Sequence, residues 1–235
     1  MKTAIIIAGG EGSRLMPLTK DIPKTLVEVG GKPMLQWVLE WLKTQGIEHL
    51  VIGVAYKKEK IFEFMKKNSN FGFKVDFSEH TLDGGTAEAF RLAITRFVKD
   101  EEFLAMNSDE LTNMSLKEME MGHKENGGIA TMAIAPFHCR FSIVKQDQQT
   151  GEVTDFEYGK KLQHVPVSIG IYIFNRKILE SIPNTGSIET ETFARLAGNG
   201  NIFGYMLSGK EEWVSVNTQK DIKEAEAALA SWGRL

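Results

Sequence analysis

An apolar run, Ala4-Ile5-Ile6-Ile7-Ala8, breaks into Gly9-Gly10-Glu11-Gly12-Ser13-Arg14-Leu15. A run this short and apolar reads as a buried strand. A buried strand that ends in glycines brings main-chain amides to its tip with no Cβ atoms to obstruct an anion. Arg14 and Lys24 put fixed positive charge beside that tip, so the segment reads as a polyphosphate site. Two familiar phosphate loops do not fit. The Walker pattern needs Gly-Lys followed by Ser or Thr, whereas Gly31-Lys32 leads into Pro33. The dinucleotide fingerprint needs a third glycine where Leu15 stands, and an unbroken helix where Pro17 and Pro23 fall. Proline inside a helix costs about 3 kcal/mol. An irregular, proline-stiffened lid over phosphates remains, against the plainer alternative of a glycine turn after an ordinary strand.

The 235 residues suit one α/β domain or one domain with a modest appendage, and 42% hydrophobic with 25% charged residues suffices for a sizeable core. A formal net charge of −3 gives no reason to expect nucleic acid or an anionic membrane as partner. Cys139, the sole cysteine, excludes an internal disulfide and leans towards a reducing compartment; it reads as a small packing residue. The apolar opening is too short for a signal peptide or a membrane span, and no later run is long enough either. The cytoplasm is the expected location, with no appended repeat domain.

Strand and helix alternate through the first half. Strands are predicted at Lys2–Ala8, His49–Val54, Phe73–Phe77 and Phe103–Met106, and helices at Leu35–Thr44, Glu59–Lys67 and Thr86–Val98. This order implies parallel strands covered by helices on both faces. Beyond it come a strand at Gly127–Ala135, an antiparallel hairpin of Ser142–Lys145 and Glu152–Tyr158, strands at Val167–Phe174 and Ile202–Leu207, and a helix at Thr218–Ala230. One domain of two lobes is expected, about residues 1–125 and 126–235. In an open α/β sheet, ligands bind outside the carboxyl ends of the strands. Gly9, the turn Gly84-Gly85-Thr86, and Asn107-Ser108-Asp109 are all expected at that end, converging on one cleft.

The runs Gly9-Gly10-x-Gly12-Ser13-Arg14-Leu15-x-Pro17-Leu18-Thr19, Pro23-Lys24 and Gly31-Lys32-Pro33-Met34-Leu35 resemble the signature of the sugar-1-phosphate nucleotidylyltransferases. The resemblance is dense there and sparser, though ordered, to the C-terminus. It implies a Rossmann-like α/β fold, a mixed central sheet flanked by helices (the nucleotide-diphospho-sugar transferase fold). It also implies a reaction, in which a sugar 1-phosphate attacks the α-phosphorus of a nucleoside triphosphate to give an NDP-sugar and pyrophosphate. By the same resemblance Ala8, Gly9, Gly10, Gly12, Ser13, Arg14, His80, Gly85 and Thr86 contact the nucleotide, and Arg14 and Lys24 are catalytic. Thr86 has an alternative role as a helix N-cap. His80 stands where thymidylyl and uridylyl enzymes carry a base-reading Gln, which leaves the base open.

Asp109 matches the Mg²⁺-binding Asp of the family's Asn-Gly-Asp, with Ser108 in place of the glycine. Phe156-Glu157-Tyr158-Gly159-Lys160 resembles a Phe-x-Glu-Lys region, which assigns Glu157 to sugar hydroxyls and Lys160, or Lys161 in another register, to the 1-phosphate. Asn107, Ser168 and Gly170 complete the sugar-phosphate side, Gly170 by allowing close approach. Trp213-Val214-Ser215-Val216-Asn217-Thr218 departs from the family. Many relatives place a second Mg²⁺-binding Asp where this chain has Ser215, and cytidylyltransferase-like members place it where it has Asn217. Asn217 is taken as the second ligand, and Thr218 with Asp221 as a capping box. Two other readings stay open: a cytidylyltransferase for a non-sugar phosphate such as phosphocholine or an inositol phosphate, and a catalytically silent nucleotide-sugar-binding regulator. A homodimer is the candidate assembly.

Overall fold

Side chains along a strand alternate between its two faces, and Thr3–Ile7 (β1) uses both. Ala4 and Ile6 enter one buried cluster and Ile5 the other. Such a strand must be covered on both sides, which fixes a three-layer arrangement. The computed structural model describes residues 1–139, 141–159 and 161–235.

After β1, the two-residue strands β2 (Glu28–Val29) and β3 (Lys32–Pro33) pair with each other and lead into α1 (Met34–Thr44). There follow β4 (His49–Val54), α2 (Lys58–Lys67), β5 (Lys74–Glu79), α3 (Gly85–Phe97) and β6 (Glu102–Asn107). The second half holds β7 (Glu110–Thr112), α4 (Leu116–Asn126), β8 (Ala130–His138), β9 (Ser142–Gln146), β10 (Val153–Tyr158) and β11 (Lys161–Asn175). It ends with α5 (Ala194–Gly198), β12 (Ile202–Met206), β13 (Trp213–Ser215) and α6 (Gln219–Ser231).

Seven strands form the main sheet in the order β12-β8-β11-β6-β1-β4-β5. The β6-β1-β4-β5 portion is parallel, whereas β11 runs antiparallel to both β6 and β8. The sheet is therefore mixed, as the resemblance implied. From β1 the chain crosses to β4 on one side, and β6 lies on the other. The switch point thus falls between the carboxyl ends of β1 and β6. Residues of α1, α2, α4 and α6 cover one face of the sheet, and those of α3 and α5 the other. The indoles of α1 are buried with their N–H groups satisfied, Trp37 Nε1 by the Val29 carbonyl at 2.8 Å and Trp41 Nε1 by that of Met114 at 3.1 Å. Among the described residues no helix is long and apolar enough to cross a membrane.

The strand expected at Gly127–Ala135 starts only at Ala130, because Gly127, at φ 65°, terminates α4, a helix the sequence reading left out. The hairpin of β9 and β10 forms as expected but stands as its own two-stranded sheet. Cys139 is half-buried just after β8.

Helix α4 docks on β8 through buried His123, whose Nδ1 lies 2.7 Å from Thr131 Oγ1 and whose Nε2 lies 3.9 Å from Glu102 Oε1. Burial pushes the imidazole pKa below its ordinary value, outweighing the pull of Glu102 and Glu120. The native state then binds a proton less readily than the unfolded chain. Stability is lost as pH falls through the ordinary imidazole value of 6.5. Urea unfolding at pH 7 and at about pH 5.5 should show that loss, and His123→Gln should reduce the pH dependence; an unchanged dependence would acquit His123.

Candidate functional site

The chain leaves β1 at Ala8, whose amide is held by the Gly53 carbonyl at 2.8 Å and is not open to a ligand. Beyond it, Gly10 and Ser13 are exposed and Gly12 half-buried. Among the described residues, the amides of Gly10, Glu11 and Gly12 find no protein acceptor, which leaves them to water or an anion. Gly12 is left-handed at φ 67°, and a Cβ there would stand 2.8 Å from Lys24 Cβ. Its lack of a side chain lets the Pro23-Lys24 segment close against the loop. Thr19 Oγ1 fastens the loop by donating to the Gly12 carbonyl at 2.9 Å. Arg14 and Lys24 each sit in a short 3₁₀ turn, Ser13–Leu15 and Lys24–Leu26, the first anchored by buried Leu15.

The opposite wall rises from β6. Ser108 N bonds the Ile7 carbonyl at 3.1 Å, which places Asp109 across from the loop. Lys24 forms an ion pair with Asp109 and donates to Asn217 Oδ1 at 2.8 Å. Arg14 donates to the same oxygen at 2.6 Å, although it lies 203 residues away in sequence. Asn217 precedes α6, whose capping box forms as expected, and Asp221 Oδ2 accepts from the amides of both Asn217 (2.9 Å) and Thr218 (2.8 Å). The structure therefore unites Arg14, Lys24, Asp109 and Asn217 at the switch point.

Asp109 and Asn217 both direct an oxygen at one cation, the Lys24 ammonium. One carboxylate plus one carbonyl oxygen is a hard donor set suited to Mg²⁺, an ion that otherwise keeps water and substrate phosphate. Among the described residues no three His, Cys, Asp or Glu side chains form a closed metal cage. Ser215 is not at this junction. It stands behind Asn217, taking the Asn217 Nδ2 donor at 2.6 Å.

One residue that the sequence reading did not single out is Glu110. It is buried, accepting from Trp213 Nε1 at 2.5 Å and from Ser215 Oγ at 3.1 Å. Burial pushes its pKa well above the usual carboxylate range and the charge of Asp109 adds to this, while the Trp213 and Ser215 donors and Lys24 pull the other way. The missed signal is the ladder of β7 with β13, in which Glu110 pairs with Ser215.

The sugar-side assignments divide. Gly170, on β11 at φ 73°, faces Asn107 and Glu110: a Cβ there would lie 2.8 Å from Asn107 Nδ2 and 3.1 Å from Glu110 Oε1. Asn107 and Gly170 thus meet beneath the cleft. Ser168 Oγ lies 3.5 Å from the buried Tyr172 hydroxyl. Glu157 is on β10, in the separate hairpin sheet. Lys160 lies outside the described residues, as does the Lys161 side chain.

On the base side, the His80 ring lies over Gly9. Its Nδ1 donates to the Thr81 carbonyl at 3.0 Å, and its buried Nε2 has no partner. Thr86 does not cap α3, which begins one residue earlier at Gly85 with no side-chain cap. Its hydroxyl instead donates to Glu189 Oε2 at 2.8 Å and accepts from Ile188 N at 3.0 Å. The turn before it is tied to Gly186, whose amide donates to the Gly84 carbonyl at 2.9 Å.

Gly170→Ala combines a left-handed backbone with two close contacts. It should destabilise the protein by about 2 kcal/mol in urea unfolding, and an unchanged midpoint would mean that Asn107 and Glu110 yield freely.

The family model described as "Nucleotidyl transferase" matches residues 3–231. The chain is 32% identical to probable mannose-1-phosphate guanylyltransferase 1 of Oryza sativa subsp. japonica over 97% of its own length and 68% of that protein's. It is 32% identical to mannose-1-phosphate guanylyltransferase 1 of Arabidopsis thaliana, over 93% of this chain and 62% of that one. Among solved structures, HddC from Yersinia pseudotuberculosis complexed with GMP-PN superposes with a TM-score of 0.78 at 24% identity, covering 97% of this chain and 100% of that one. A putative glucose-1-phosphate thymidylyltransferase from Bacillus anthracis gives 0.74 at 20% identity, covering 97% and 95%. At these identities the structural likeness speaks for the fold alone.

Proposed function

Because the chain belongs to the nucleotidyl transferase family, among its sugar-1-phosphate nucleotidylyltransferases, we propose that it joins a sugar 1-phosphate to a nucleoside triphosphate. A phosphate oxygen of the sugar phosphate bonds to the α-phosphorus, the bond from the α-phosphorus to the bridging oxygen of the β-phosphate breaks, and pyrophosphate leaves with the electron pair. The observation that carries this reading is the convergence of Arg14, Lys24, Asp109 and Asn217 at the switch point. Mannose 1-phosphate with GTP is the first pair to test, because mannose-1-phosphate guanylyltransferases are the relatives matched at 32–33% identity.

Transfer of this kind asks the protein for positioning and charge neutralisation rather than covalent chemistry. The open amides of Gly10–Gly12 receive phosphate oxygens, and Arg14 neutralises the β- and γ-phosphates that depart. Lys24 steadies the α-phosphate as charge builds on it. Asp109 and Asn217 would hold Mg²⁺, which supplies Lewis-acid neutralisation of phosphate oxygens. Glu157 with Lys160 or Lys161 serves the sugar phosphate above the floor made by Asn107, Ser168 and Gly170. His80 is placed on the base side, with its ring over Gly9. The non-sugar cytidylyltransferase alternative draws on the ending Asn217-Thr218-x-x-Asp221, of which the capping box accounts for Thr218 and Asp221. The silent-regulator alternative draws on the neutral Asn217, and turnover separates it from the enzyme. A reducing, nucleotide-rich compartment, the cytoplasm, is the setting proposed.

Pyrophosphate release should require Mg²⁺, one nucleoside triphosphate and one sugar 1-phosphate together. Lys24→Ala should lower kcat/KM by about a hundredfold, the loss of one preorganised charged donor. No release with any pair, despite nucleotide binding, would favour the silent regulator.

We also infer a homodimer through the β9–β10 hairpin. Phe141, Phe156 and Tyr158 are 78%, 66% and 74% exposed on and beside a two-stranded sheet that has little stability of its own. A second copy covering this face would account for both facts. Sedimentation should give a dimer that Phe156→Glu converts to monomer; a monomeric wild type would refute the inference.

A further inference from the structure

Glu110 and Ser215 touch neither phosphate loop nor proposed metal position, yet they are built into the wall of the cleft. With Glu110 ionised, the form that the Trp213 and Ser215 donors and Lys24 favour, each hydrogen bond of this group has a forced direction. The Trp213 indole can only donate, so Glu110 Oε2 accepts from it. Ser215 has a single hydroxyl proton and gives it to Glu110 Oε1 at 3.1 Å. Only lone pairs then remain on Ser215 for Asn217, so the carboxamide must turn its Nδ2 towards Ser215, at 2.6 Å. Its oxygen therefore faces out, where Arg14 and Lys24 meet it at 2.6 and 2.8 Å.

We propose that Glu110 and Ser215 are positioning residues, a one-way hydrogen-bond relay that keeps the Asn217 carboxamide oxygen pointed into the cleft. The relay matters most when substrate is bound. In the free protein Arg14 and Lys24, donors only, also select the oxygen. Once a polyphosphate draws those two cations away, that selection ends, and the relay alone keeps a donor-bearing NH₂ group from swinging towards phosphate-bound metal. A carboxylate at this position would need no such device, since both its ends are oxygens. The pairing of Ser215 with Glu110 across β7 and β13 is thus matched to the amide at Asn217.

This inference rests on the proposed nucleotidyl-transfer site, and a cycle of variants tests the two separately. Mn²⁺ would be titrated by electron paramagnetic resonance in the presence of GTP. Ser215→Ala should weaken Mn²⁺ binding by about tenfold, the ordinary cost of losing a group that orients a metal ligand. Ser215→Thr, which keeps the hydroxyl, should restore it. In an Asn217→Asp background Ser215→Ala should cost almost nothing, because there is no amide left to orient. Equal losses in both backgrounds, or no loss in the first, would overturn the relay in favour of a structural role. If the wild type binds neither GTP nor Mn²⁺, the proposed function fails, and a second readout decides the relay by itself. The Asn217 side-chain NH₂ signals, identified by their disappearance in Asn217→Asp, should exchange with water faster in Ser215→Ala than in wild type. Unchanged exchange would refute the relay whatever the activity.

Discussion

Parallel pairing of β1 with β4 on one side and β6 on the other decides where every group in the cleft can stand. Ile7 is paired with Gly53 and Asn107, so the three strands end at one level and their loops emerge side by side. The Ala8 and Ser108 amides are both tied back to neighbouring strands, which continues the sheet one residue into each loop. Only after that do the glycines and Asp109 become free to face each other. The distance between the cationic loop and the acidic wall is thus set by main-chain hydrogen bonds, and Lys24 has merely to span it.

The charge at that junction favours a polyphosphate. Arg14 and Lys24 face a single Asp109 carboxylate, since Asn217 contributes an oxygen without a charge. A second carboxylate there would neutralise both cations in the empty site and would have to be displaced by phosphate. The neutral amide spares the incoming anion one further negative charge, at the expense of weaker hold on a divalent ion. It also brings a requirement that a carboxylate lacks, because an amide has a wrong way round. That trade links the unusual Asn217 to the buried Glu110–Ser215 pair behind it.

Features legible in the sequence were those with a local physical cause. The run Ala4–Ala8, the helical spacing of Trp37, Val38, Trp41 and Leu42, and the Thr218–Asp221 capping pair each specify structure within a few residues. Arg14, Lys24, Asp109 and Asn217 were nameable because motifs surround them. The wall behind them was not, because it depends on pairing between segments a hundred residues apart. Glu110 carries no apolar pattern and sits next to Asp109, so its burial follows only from the β7–β13 ladder. Thr86 shows the reverse case, a good capping residue whose hydroxyl is claimed by Glu189 and Ile188 from a distant segment. Helix α4 escaped notice because few apolar residues mark it: Leu116, Met119 and His123 are its buried positions.

The same sheet limits how the cleft can close. Main-chain pairing between β6 and β11 matches Glu102–Met106 with Ile171–Asn175, joining the nucleotide side to the sugar side within one continuous sheet. Gly170 then presses β11 against Asn107 and Glu110, leaving little slack at the junction. A hinge between the two lobes would have to break that ladder, since a twisted, paired sheet does not bend sharply along an intact strand. Enclosing a substrate therefore falls to the segments outside the ladder. On one side this is the loop from Gly10 to Pro23, fastened through Thr19 and Leu15 but, among the described residues, open at the amides of Gly10, Glu11 and Gly12. On the other it is the β9–β10 hairpin, which among the described residues shares no main-chain ladder with the main sheet. Rigidity at the floor and freedom at the rim follow from the same topology, and they suit a reaction whose demands are alignment below and water exclusion above.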